Sequence, residues 1–166
     1  MQTAQATVGR RILIVLEPGD EVIGSLAEAC RRHDVAQAVI STFSGALRTA
    51  RIIASEVPAA NPELPMPAAV TVAYTEGTGS GTVTRSVDGE PVVHVHVALG
   101  EKDRAGRAIA GHLLEGETHY VIEVVLDEIL TPHLTRRVHA GSSGIPILHI
   151  ADAAATASAA PSDSAR

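Results

Sequence analysis

The sequence predicts an α/β domain of the α+β kind, rich in strands and with one main helix, and three observations lead there. Strand-like segments, β-branched or alternating, recur at residues 10–17, 36–43, 48–55, 69–76, 82–87, 90–99 and 118–129. Only the segment after Asp20 has helical spacing, with Val22, Leu26, Ala29 and Cys30 on one stripe. Asp88-Gly89 between two strand patterns is a hairpin signal, so the strands on either side of it run antiparallel.

Composition narrows the functions available. A chain of 166 residues fits one domain with a real core. Aromatic residues are 2% of it and Trp is absent, so the core is Val, Ile, Leu and Ala. Phe43, Tyr74 and Tyr120 are too few to build a base-stacking platform for single-stranded nucleic acid. A net charge of −6 gives no general attraction to phosphate backbones. The single cysteine, Cys30, excludes an intrachain disulfide and fits a reducing compartment; inside a helix it reads as a small core residue. Residues 1–7 lack a signal-peptide profile, and no apolar run is long enough to span a membrane. The expectation is a cytoplasmic protein.

Residues 10–17 (RRILIVLE) form a continuous apolar run, which predicts a central strand covered on both faces. Glu17-Pro18-Gly19-Asp20 stops it with turn chemistry. Asp20 is placed to cap the helix, Glu21 to occupy its first turn, and Arg31 and Arg32 to close it against its own dipole. Two separate strands are predicted at 36–43 and 48–55. Gly45 between them marks an unusual torsion or close packing, and Arg48 and Arg51 point to opposite faces. Pro58, Pro62, Pro65 and Pro67 predict an extended loop over 56–68, a lid or an insertion. Strands at 69–76 and 82–87 flank Gly77-Thr78-Gly79-Ser80-Gly81. That cluster is no phosphate loop, because no Lys-Ser/Thr follows and a strand comes next.

The chemistry concentrates at 90–99 (EPVVHVHVAL). In a strand, side chains two apart share a face, so Val93, Val95, Val97 and Leu99 form a core face. Val92, His94, His96 and Ala98 form the other. Residues 100–107 read as a polar surface loop, and the apolar segment after it supplies His112. Three neutral imidazoles, from one strand and one nearby loop, are the ligand set of an open tetrahedral Zn²⁺ site. Alternating Val and His is equally the outer face of a half-buried strand. Residues 118–129 (THYVIEVVLDEI) form a long strand in which Glu123 sits among apolar residues. A buried carboxylate there requires an arginine, a backbone donor, a metal or a proton. A final hairpin is predicted from 134–138 and 145–150, followed by a disordered tail at 151–166 and preceded, at the other end, by a flexible 1–9.

An ordered set of short motifs then carries a resemblance. Glu17-Pro18-Gly19-Asp20-Glu21-Val22, Ser44-Gly45-Ala46-Leu47, Thr82, Asp88-Gly89-Glu90-Pro91, His94-Val95-His96, Gly111-His112-Leu113 and Ile122-Glu123-Val124-Val125 together resemble the plant-and-prokaryote-conserved (PPC) domain over residues 10–150. The resemblance implies a mostly antiparallel mixed sheet with few helices, assembled as a homotrimer. Plant members contact DNA through an AT-hook, and this chain has no Arg-Gly-Arg-Pro core, only Val8-Gly9-Arg10-Arg11. Val15 stands where many bacterial members have an arginine. The fold is also similar to that of α-acetolactate decarboxylase, a zinc enzyme with a His-x-His and a later His, which bears on His94, His96 and His112.

The leading expectation is a protein that holds a divalent metal, Zn²⁺ first, and acts on or binds a small carboxylate or carbonyl compound, as a lyase or decarboxylase does. Glu123 or Glu76 would be proton shuttle or extra ligand, and Arg85 or Arg48 a carboxylate clamp. The alternative is a transcription-associated DNA binder without the hook. The acidic balance and the single lysine, Lys102, count against it. A trimeric scaffold whose histidines only pack is the third reading.

Overall fold

Strand periodicity becomes five long strands, one helix and a small terminal hairpin in a computed structural model that describes residues 1–55, 57–66 and 68–151. The order is β1 (Thr7–Leu16), α1 (Val22–Arg32), β2 (Ala38–Ile53), β3 (Val70–Arg85), β4 (Pro91–Glu101), a 3-10 turn (Lys102–Arg104), β5 (Arg107–Thr131), β6 (Leu134–Val138) and β7 (Pro146–Ile150). The first five strands form one sheet, ordered β1-β5-β2-β3-β4, and β4 pairs again with the start of β5. The circuit of β2, β3, β4 and β5 therefore closes on itself around the core. Strands β6 and β7 pair separately. Every pairing of these strands is antiparallel, in the α+β class the sequence predicts.

The core follows from alternation. Ile40, Phe43, Leu47 and Ile52 of β2 point inward with Val95, Val97 and Leu99 of β4 and Leu113, Ile122, Val124 and Leu126 of β5. Helix α1 covers them with Val22, Leu26 and Cys30, all buried. The Glu21 carboxylate caps this helix, accepting from the backbone N–H groups of Ile23 and Gly24 at 3.2 and 2.6 Å. Asp20, expected in that role, instead accepts from the Glu17 N–H at 2.8 Å and braces the preceding turn. Arg31 and Arg32 sit in the last turn of the helix and lie on the carboxylate of Glu28.

Several sequence expectations are corrected. Residues 10–17 do not make a central strand: β1 is an edge, and Leu13 and Val15 are 76% and 62% exposed. The strands expected at 36–43 and 48–55 are one strand, β2, and those at 69–76 and 82–87 are one strand, β3. The glycines do not end these strands; they let backbones approach. A Cβ at Gly45 would meet the Val121 carbonyl, and one at Gly81 the His94 carbonyl. The expected loop 100–107 shrinks to the 3-10 turn and its flanks, because β4 runs on to Glu101 and β5 starts at Arg107. Strand β1 begins at Thr7, inside the stretch expected to be flexible. Most of the tail expected at 151–166, and positions 56 and 67 of the proline-rich loop, lie outside the described residues. No helix among the described residues is long and apolar enough to cross a membrane.

Candidate metal centre

The three histidines converge because two antiparallel strands put them there. In β4, burial of Val95, Val97 and Leu99 sends His94 and His96 to the opposite face. The start of β5 runs alongside in the register His96↔His112. His112 is therefore a cross-strand neighbour on a strand, not a loop residue as its sequence context suggested. Ring centroids are 4.6 Å apart for His94–His112, 5.0 Å for His94–His96 and 5.4 Å for His96–His112.

One nitrogen from each ring lies within 4.8 Å of the others. A tetrahedral zinc with nitrogens at about 2.1 Å holds them about 3.4 Å apart, so the rings need only draw together slightly to share an ion. His112 Nδ1 is buried and has no hydrogen-bond partner among the described residues, an orphan that coordination would satisfy. Burial, then the Arg136 guanidinium and then His112 and His96, push the His94 pKa down to about 4. Burial, then His96 and Arg136, hold His112 below the usual histidine range. Both rings are uncharged at neutral pH, the form that binds a metal. The residues fit the ion.

The cluster floors a cleft of about 600 Å³ whose walls are mainly apolar, including Ile53, Val92, Val93, Met66, Ile145 and Pro146. Pro65 and Met66 place the proline-rich loop at its rim. The other wall comes from the β6–β7 hairpin, which also contributes Arg136.

The remaining predicted residues lie elsewhere in the chain. Glu76 pairs with Lys102 Nζ at 2.8 Å, next to Tyr120 over whose ring that ammonium sits. Arg85 donates to the Gly89 carbonyl at 2.8 Å and to Asp34 at 3.2 Å, holding the hairpin end of β3. Arg48 is paired with Glu117 at 2.9 Å. Glu123 is exposed rather than buried, opposite Val15 and Ser44 on the outer face of β1, β5 and β2. None of these four lines the cleft. Arg136 does, and sequence reasoning passed over it. Its signal was the two-residue spacing from Leu134, which is buried, so that Arg136 shares the inward face of β6.

A family model for the Plants and Prokaryotes Conserved (PCC) domain matches residues 3–130. Among solved structures, a plant- and prokaryote-conserved (PPC) protein of Pyrococcus horikoshii is 25% identical with a TM-score of 0.72, over 92% of this chain and 99% of that one. A metal-containing protein of Archaeoglobus fulgidus is 23% identical with a TM-score of 0.71, over 89% and 98%. A Bacteroides thetaiotaomicron protein, provisionally described as DNA-binding, is 18% identical with a TM-score of 0.66, over 89% and 99%. The last two share the fold with this chain. No curated protein matches the sequence.

Proposed function

The chain belongs to the Plants and Prokaryotes Conserved (PCC) domain family, and from that premise we propose that it is a metal-dependent protein that binds or transforms a small carboxylate or carbonyl compound. The observation that carries this reading is the convergence of His94, His96 and His112 at the floor of an apolar cleft. The description of the structurally similar Archaeoglobus fulgidus protein as metal-containing supports it. Zinc is the expected ion, since three neutral imidazoles leave its fourth position open. When bound, it would act as a Lewis acid on a carbonyl or carboxylate oxygen, the chemistry that lyases and decarboxylases require.

The chain's own residues do the rest. His94 and His112 are kept neutral by burial and by neighbouring charge, the Arg136 guanidinium included. The mainly apolar walls give electrostatic contacts in the cleft a setting less polar than bulk water. Glu123 and Glu76 do not reach the cleft within one protomer. A homotrimer is part of the proposal: the outer face of β1, β5 and β2 exposes Leu13, Val15, Val39 and Val121, a surface suited to a second copy, with Glu123 in its midst.

Elemental analysis of untagged protein, incubated with Zn²⁺ and dialysed, tests the reading. About one divalent ion per chain is expected, and the His94→Ala/His96→Ala variant should lose it while keeping its circular dichroism. Equal metal content in wild type and variant overturns it. Salt-sensitive duplex binding would favour the DNA-binding alternative instead.

A further inference from the structure

Arg136 is the unusual cation of this chain. Among the described residues, nine of the basic side chains lie within ion-pair distance of a carboxylate. Arg107 and Arg137 have no such partner but are exposed. Arg136 is half-buried, and no carboxylate of the described residues pairs with it. Its Nη2 donates to Thr82 Oγ1 at 2.8 Å, its Nη1 reaches only the Pro146 carbonyl at 3.4 Å, and its Nε is buried with no acceptor. Thr82 is the cross-strand partner of His94, so this anchor sets the guanidinium beside the imidazoles. Among the described residues, no Asp or Glu lines the cleft. The same burial lowers the Arg136 pKa.

An unpaired guanidinium in apolar surroundings is costly until an anion meets it. We propose that Arg136 is the recognition residue for the ligand's carboxylate, and that the cleft takes a monocarboxylate with a compact aliphatic body. The planar fork of arginine matches a carboxylate in two parallel hydrogen bonds. A phosphate dianion would need more hydrogen-bond donors than one guanidinium between apolar walls supplies. The aliphatic body meets Ile53, Val92, Val93 and Ile145. The hairpin that carries Arg136 follows the residues matched by the family model, which end at 130. The inference deepens the functional reading above in naming the ligand of the same cleft, but the carboxylate contact itself does not depend on the metal.

The test is a titration of the zinc-loaded, untagged protein with 3-methylbutanoate and its neutral isostere 3-methylbutanamide, followed by the methyl NMR resonances of Val92, Val93 and Ile53. Saturable shifts with the acid and none with the amide are expected. Arg136→Gln should weaken the acid about 10- to 100-fold, the loss of a charge-assisted hydrogen bond, and Arg136→Lys should recover part of it. Arg136→Gln should keep its bound zinc. Equal binding of acid and amide, wild-type binding by Arg136→Gln, or tighter binding of inorganic phosphate at the same resonances overturns the proposal. If the chain takes up no zinc yet the acid still binds through Arg136, the metal reading fails and this one stands.

Discussion

Glu128 shows at the scale of one residue how charge is managed here. Side-chain hydrogen bonds from Arg10, at 2.8 Å from both Nε and Nη2, and one from its backbone N–H at 3.1 Å bring the Glu128 pKa down to about 2. A carboxyl with a folded-state pKa below its ordinary value stabilises the fold above that ordinary value, and the contribution is lost as pH falls through the folded one. Glu128→Gln should therefore lower the urea midpoint at pH 7, and its gap to wild type should close between about pH 4.5 and pH 2. A gap independent of pH would mean that the pair is not the source. Phe43 is the other telling residue: the only phenylalanine of the chain is fully buried. Phe43→Ala should cost about 3–5 kcal/mol in chemical denaturation, from lost burial and the cavity left behind. The histidines were legible at this scale because alternation fixes which side chains share a face. Glu123 was not, since whether an apolar run is covered depends on what lies across the sheet.

At the scale of elements, the strands and the helix were legible, but where strands stop was not, so residues 77–81 and the segment of His112 read as loops although they lie within β3 and β5. Glycine in a strand pattern has two meanings, turn and close approach, and local spacing does not separate them. In β3 it means close approach: Gly81 lies against the backbone of β4 beside His94. Gly81→Ala should push β3 and β4 apart, destabilise by about 2 kcal/mol or more, and lower zinc stoichiometry because β4 carries two of the three imidazoles. A fully stable, fully metal-loaded variant would show that the strands yield without consequence. The predicted terminal hairpin is present as β6 and β7, yet its role was hidden. Arg136 gains meaning only once the hairpin docks on Thr82, a contact between residues 54 positions apart.

At the scale of the molecule, the outer face of β1, β5 and β2 sets the expectation for assembly. Sedimentation of wild type should give three chains per particle, and Leu13→Asp/Val15→Asp should give a folded monomer, because charge at two exposed apolar positions opposes burial between copies. A monomeric wild type would assign that surface to another partner. Strand β5 also sets when the sheet can close. It is the final long strand of the sheet and pairs with β1, β2 and β4, with partners as far apart as Val15 and Glu123. During translation, β1 and β2 leave the ribosome with their common neighbour still unmade, and their open edges wait until the last third of the chain has emerged. Closure of the sheet is then a late, chain-length-dependent step, and nascent chains stalled before residue 131 should be protease-sensitive throughout, becoming resistant together once the strand is free to insert.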